Sequence, residues 1–165
     1  MTKDRSLSIR PIGVIRTPHK DQEKTPIQPC FAREIRGEVH LNPSLMEGLK
    51  GIEGFSHLHL IYHLHQAEPG PLVVKPFLID EPTGIFACRY PERPNAIGLS
   101  VVRLLGVEGC RLVVEDVDML DGSPLLDIKP YYPKSDRPEG AWGGWTECIS
   151  PQEAQRRGKR GLTHV

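Results

Sequence analysis

Glycine and proline punctuate this chain at a density that decides what it can fold into. There are 16 of each in 165 residues, about 19% together, where average usage gives about 12%. Proline removes a backbone donor and fixes φ, and glycine in a helix interior costs about 1 kcal/mol. A helical bundle or coiled coil is therefore excluded. Between the breakers lie short β-forming runs. Ser8–Thr17 carries Ile9, Ile12, Val14 and Ile15, interrupted by Pro11 and Gly13. Arg36–Leu41, Phe55–Gln66, Ile97–Val107, Arg111–Val117 and Leu125–Tyr131 follow, with a shorter apolar run at Leu72–Ile79 broken by Pro76. Glu108-Gly109-Cys110 is a hairpin signal. Asn42-Pro43 opens a short helix through Lys50, because proline suits a first helical turn. Strands about 10 residues apart predict a mainly β fold, a compact antiparallel barrel with one or two short helices. No glycine fingerprint of the Rossmann or P-loop kind is present, so any nucleotide-like ligand is held by another design.

A charged fraction of 25% with 38% hydrophobic residues is ordinary for a globular domain. Lys+Arg and Asp+Glu are both 21, which excludes a globally basic nucleic-acid binder. The cancellation is regional. Residues 1–75 carry 10 basic and 8 acidic side chains, residues 76–150 carry 7 and 12, and residues 151–165 carry 4 and 1. The basic tail from Gln152 to Gly161 reads as a solvated, frayed terminus, with phosphate contact as the alternative. No run approaches the length of a membrane span, and the first residues predict no secretory leader. Cys30, Cys88, Cys110 and Cys148 lie far apart with no CxxC pair, so reduced thiols in a cytoplasmic protein are expected.

Four of the seven histidines fall in one stretch, at His57, His59, His63 and His65. On a strand they share a face with Phe55 and Ile61. They do not make one metal site: at about 3.3 Å per residue the outer pair would stand about 26 Å apart. No metal is expected. His65-Gln66, at the strand's end, is placed where strands open into binding sites.

Two segments are too dense in special residues to be ordinary turns. Gly84–Ser100 sets Arg89 and Arg93 on a loop stiffened by Pro91 and Pro94. Such a loop suits planar recognition of carboxylate or phosphate, and equally suits a proline-stiffened surface turn. Asp116–Tyr131 crowds Asp118, Asp121 and Asp127 around the turn Asp121-Gly122-Ser123-Pro124. An acidic turn offers backbone groups to a base or ribose and negative charge to a cation. It also serves simple Asx-turn chemistry.

These segments, in order with Ile12-Gly-Val-Ile-Arg16-Thr-Pro18, Thr25-Pro26-Ile27-Gln28-Pro29, Gly37–Leu41, Leu49–Leu58, His65-Gln66, Arg93-Pro-Asn95-Ala96-Ile-Gly98-Leu99-Ser100 and Leu120–Tyr131, resemble the TsaA-like/TrmO family. The resemblance covers about Ile12 to Pro133. It implies a β-barrel that binds S-adenosylmethionine in its loops and methylates N6 of threonylcarbamoyladenosine beside the tRNA anticodon, as a homodimer. Carried over by position, cofactor contacts fall on Pro26, Ile27, Gln28, His65, Gln66, Arg89, Leu99, Met119, Leu120, Asp121 and Gly122. Arg93, Asn95 and Lys129 would hold the tRNA backbone or the threonyl carboxylate. Asp121, Asp127 and Tyr131 are unranked candidates for a general base. Ile27 stands where the family often has Arg, Cys88 and Ser123 where it has Thr, and Ala96 where it has Pro. About 30 residues follow Pro133, so the resemblance is to the short, archaeal-type form. The expected organisation is a barrel domain over 6–135 and a partly disordered extension over 136–165. A binding module that senses the cofactor or scaffolds RNA, or a methyltransferase for another RNA or small molecule, are the alternative readings.

Overall fold

The computed structural model describes residues 7–160. Its eight strands are β1 (Gly13–Arg16), β2 (Arg36–Leu41), β3 (His57–His63), β4 (Val73–Val74), β5 (Thr83–Gly84), β6 (Ile97–Glu108), β7 (Arg111–Glu115) and β8 (Ser123–Pro130). Six of them close into a barrel in the order β1-β2-β7-β6-β3-β8, and β4 pairs with β5 as a separate ribbon. Every ladder in the barrel is antiparallel. Short 3₁₀ turns and a single α-helix, α1 (Pro151–Gly158), complete the described chain.

Alternation drives closure. Along β3, Leu58, Leu60 and Tyr62 are buried while His57, His59 and Ile61 are half-buried outside them. Ile15, Val39, Val102, Leu112, Val114 and Leu125 meet them from the other strands. Two register shifts bend the sheet, one on β6 between Leu104 and Gly106 and one where β3 meets β8 at Ile61/Tyr62. Gly109, at φ 59°, makes the tight β6–β7 reversal in the left-handed region. Gly13 lets β1 approach β2: a Cβ there would stand 2.3 Å from the carbonyl oxygen of His40.

The structure sharpens several boundaries. β2 has the expected bounds. The first expected strand shrinks to Gly13–Arg16, because Pro11 cannot donate into a ladder. β3 stops at His63, and Leu64–Ala67 is a turn closed by Ala67 N–H donating to the carbonyl of Leu64 at 2.9 Å. Of Leu72–Ile79 only two residues pair. The helix expected after Pro43 is a 3₁₀ segment, Pro43–Leu49. The tail also differs from a frayed terminus. Ser150 caps α1 by accepting from the Glu153 N–H, and α1 docks on the barrel loops. Residues 161–165 lie outside the described residues.

Candidate cofactor pocket at one end of the barrel

A hollow of ≈ 290 Å³ opens where β3 ends, β6 begins and β8 begins. Its apolar wall is Ile27, Leu64, Ile97, Leu99, Met119 and Leu120, and its polar wall is Gln28, Tyr62, His65, Gln66, Arg89, Arg93, Asp118 and Arg160. A concavity that joins an apolar wall to convergent polar groups has the form of a small-molecule site.

The turn after β7 is tied down by β1 and the segment that follows it. Asp121 N–H donates to the carbonyl of His19 at 2.8 Å, and Gly122 N–H to that of Ile15 at 2.9 Å. Gly122 has φ 79°, which that turn requires. Thr17 Oγ1 donates to the carbonyl of Met119 at 2.8 Å. The Asp121 carboxylate accepts from Thr17 N–H at 3.1 Å and pairs with Lys20 Nζ at 2.5 Å and Arg16 Nη1 at 3.5 Å. The Lys20 ammonium foremost holds its carboxyl below the ordinary aspartate range. Asp121 is thus a fixed anion that braces the turn, while Met119 and Leu120 face the hollow.

On the opposite wall Arg89 Nη1 donates to Gln28 Oε1 at 2.7 Å. Arg93 braces the Arg89 loop from within, its Nη1 donating to the carbonyls of Cys88 at 2.8 Å and Tyr90 at 3.3 Å. Beneath them Tyr62, Ser100 and Asp118 form a buried polar line. Ser100 Oγ donates to Asp118 Oδ1 at 2.6 Å, and Tyr62 Oη lies 3.1 Å from Ser100 Oγ. Burial pushes the Asp118 carboxyl up to about 7, with Ser100 and Arg89 pulling the other way. Burial likewise holds the Tyr62 phenol well above its ordinary value.

The structure brings together Pro26, Ile27, Gln28, His65, Gln66, Arg89, Leu99, Met119 and Leu120, with Arg93. Asp121 and Gly122 form the adjoining turn and do not line the hollow. Asp127, Lys129 and Tyr131 are elsewhere, because β8 runs down the barrel away from this end. Asp127 pairs with Lys129 at 2.9 Å and borders a second, apolar hollow with Leu45, Leu49 and Phe55. The Tyr131 ring packs on His57 and His59 at 6.3 and 5.4 Å. Asn95 is exposed beyond the rim. The three crowded aspartates of the sequence are thus separated, and only Asp118 enters the hollow.

The sequence model of the tRNA-methyltransferase O N-terminal domain matches residues 14–137. The chain belongs to the tRNA-methyltransferase O family. A probable S-adenosyl-L-methionine-binding protein of Pyrococcus abyssi is 51% identical over 138 residues, which is 84% of this chain and 75% of the relative. The tRNA (adenine(37)-N6)-methyltransferase of Escherichia coli is 38% identical over 138 residues, 78% of this chain and 59% of that enzyme. The crystal structure of TrmO from Pseudomonas aeruginosa superimposes with a TM-score of 0.75 at 38% identity, covering 92% of this chain and 66% of that one. The chain therefore spans less than two thirds of those two relatives.

Within this family's barrel, some residues in and beneath the pocket wall have no role that spacing alone could assign. Tyr62 and Ser100 sit on different strands and meet only through register, Tyr62 opposite Gly98 and Leu60 opposite Ser100. The one trace is Gly98, where a Cβ would stand 2.4 Å from the Tyr62 ring. Phe77 and Arg160 come from a loop and the tail, with the Arg160 guanidinium 4.4 Å above the Phe77 ring. Arg160 also lies outside the matched domain.

Proposed function

We propose that this chain is an S-adenosylmethionine-dependent methyltransferase acting on N6 of threonylcarbamoyladenosine beside the tRNA anticodon. The observation that carries the proposal is the hollow itself: apart from Asp121 and Gly122, every residue that the family pattern gives to the cofactor lines it. The names of the relatives support the same reading, one as a binder of S-adenosyl-L-methionine and one as a tRNA (adenine(37)-N6)-methyltransferase.

The residues present fit the group. Arg89 and Arg160 are guanidiniums on the wall, suited to a carboxylate through two parallel N–H bonds. Gln28 is held at both ends, Oε1 accepting from Arg89 and Nε2 donating to the Ile27 carbonyl at 2.7 Å, and keeps one amide N–H for a base. Leu99, Met119 and Leu120 give an apolar surface for a flat ring. When bound, the cofactor supplies a sulfonium-activated methyl group. What the protein must add is alignment, exclusion of water and management of one proton. The turn at Met119–Gly122, pinned by Thr17, His19 and Ile15, gives the rigidity that alignment needs. Arg93 keeps the Arg89 loop in place from behind. Asp127, Lys129, Tyr131 and Asn95 are left out of the chemistry in this proposal.

The barrel domain, 6–135, carries most of the site, and the extension, 136–165, closes one side through Arg160. Ile97 and Leu99 are exposed at 43% and 49% on the rim, an apolar edge that suits a second copy of the chain. A homodimer with the pocket beside its interface is part of the proposal. So is a cytoplasmic location, which suits a tRNA substrate and four free cysteines.

The test is incubation with tRNA carrying threonylcarbamoyladenosine and isotopically labelled cofactor, followed by nucleoside mass spectrometry. One methyl gained on that nucleoside is expected. A methyl on unmodified adenosine would replace the substrate. Cofactor binding with no mass gain would make the protein a sensor.

A further inference from the structure

Asp118 has a carboxylate at the floor of the hollow that neither the cofactor contacts nor the bracing of the turn require. Three features set its state. One oxygen, Oδ1, accepts from Ser100 Oγ at 2.6 Å. Ser100 has one proton and gives it to Asp118, so Tyr62 Oη, 3.1 Å away, donates to Ser100. The line thus runs Tyr62 to Ser100 to Asp118, and every donor in it points at the carboxylate. Apart from Ser100 and its own backbone N–H, the carboxylate has no hydrogen-bond partner among the described residues. It lies on the wall of the hollow and is not among the enclosed unpartnered atoms. An acceptor held in one rotamer, with its second oxygen facing a ligand pocket, is placed to receive a proton from whatever reacts there.

We infer that Asp118 is the proton acceptor for the nitrogen that is methylated in this pocket, and that Ser100 and Tyr62 are its positioning residues. The inference rests on the methyltransferase reading. The nitrogen–carbon bond forms as the carbon–sulfur bond breaks, and the bond pair leaves with sulfur. The nitrogen's proton passes to Asp118 Oδ2, making a neutral acid, and leaves later to water through the pocket mouth. Charge balances, since the cation is discharged as one proton is released. Asp121 does not serve this role: Lys20, Arg16 and Thr17 occupy its carboxylate.

The surroundings of Asp118 support it. Desolvation raises its carboxyl to about 7, close to where a general base works best. The ionisable groups that face it are Tyr62 on β3, Cys30 in the turn Pro29–Phe31 and Arg89 on the loop after β5. His65, Arg93 and Arg160 lie further round the same hollow. Arg89 favours the charged form, while Tyr62 stays protonated because burial lifts its phenol.

The experiment compares wild type, Asp118→Asn and Ser100→Ala on modified tRNA, with kcat followed across pH and cofactor affinity measured by calorimetry. Asp118→Asn keeps the shape and can still accept from Ser100, so cofactor affinity should hold within about threefold while kcat falls by about 10²–10⁴. Wild-type kcat should rise with pH along a limb near neutrality that Asp118→Asn lacks. Ser100→Ala removes the donor that favours the charged form, so its limb should move to higher pH. A carbon-detected NMR titration of the Asp118 carboxyl should show the same displacement without any turnover. Three results would overturn the inference: kcat retained in Asp118→Asn, the limb persisting in that variant, or loss of cofactor affinity as its main defect. If wild type itself transfers no methyl to tRNA, the functional reading falls and takes this inference with it. An active wild type beside an equally active Asp118→Asn overturns the inference alone.

Discussion

Two aspartates three positions apart show how far surroundings outweigh residue type. Asp121 lies in a web of cations and a backbone N–H, which hold its carboxyl low. Asp118 is buried against Ser100, and desolvation lifts its carboxyl to about 7. The sequence showed both as members of one acidic turn, because nothing in spacing distinguishes a side chain that turns inward. Their consequences for stability are opposite in sign. An aspartate in the unfolded chain titrates near 3.9. Between that value and about 7, folded Asp118 keeps a proton that the unfolded chain releases. Stability therefore falls as pH rises through this window. Asp118→Asn removes the penalty of the buried charge. Urea unfolding should find wild type and variant matched near pH 4, and the variant more stable at pH 8 by up to about 4 kcal/mol. Parallel stabilities across that range would mean that Asp118 is solvated. A residue that lowers stability at the pH where it works is the common signature of a functional group.

At the level of elements, legibility followed alternation. β2 keeps its expected bounds because Val39 and Leu41 alternate with Glu38 and His40, and Asn42-Pro43 ends the run. β3 is shorter than the expected Phe55–Gln66 by two residues at its start and three at its end, where Leu64 and His65 continue the alternation into a turn. The tail departs from the expected frayed terminus for a different reason. α1 docks with charge and one glycine in place of an apolar stripe. Arg157 makes two bonds to Asp80, at 3.1 and 3.0 Å, and the carbonyl of Gly158 accepts from Ile27 N–H at 3.1 Å. Upstream, Trp145 Nε1 donates to the carbonyl of Ala87 at 2.8 Å. A basic, polar decapeptide carries no trace of such docking in its hydropathy. Its contact point is narrow: a Cβ on Gly158 would stand 2.4 Å from the Phe31 ring. Gly158→Val should therefore lift α1 from Phe31, slacken the wall at Ile27 and Arg160, and weaken cofactor affinity about tenfold, the scale of one lost hydrogen bond. The barrel core contains neither residue, so the thermal midpoint should move little. Calorimetry with unchanged affinity would show that the extension is no part of the site.

For the whole molecule, a net charge of zero has a definite consequence for the proposed tRNA substrate. Long-range steering scales with the summed field, and here the acidic segment 76–150 cancels the basic segments on either side. Association must then depend on a few local cations. At the pocket end these include Arg89, Arg93 and Arg160, and each already has a partner in the fold, Arg89 in Gln28, Arg93 in loop carbonyls and Arg160 in the Phe77 ring. Each phosphate neutralised contributes about −0.7 to −0.9 to the slope of log affinity against log salt. With about three to five phosphate contacts per chain, the slope should be about −2 to −4, and the affinity should fall about 20- to 300-fold between 50 and 200 mM salt. If two chains of a dimer share one tRNA, the slope should steepen towards twice that value. Cofactor affinity should change little over the same range, because the pocket wall is largely apolar and its ionic contacts are partly enclosed. Filter binding of tRNA and calorimetry of the cofactor, run as paired salt titrations, separate the two. A slope near −8 or beyond from a single chain would require a continuous basic face that this charge distribution does not supply. A flat tRNA titration would place recognition in base and shape contacts, with the cations serving the cofactor alone.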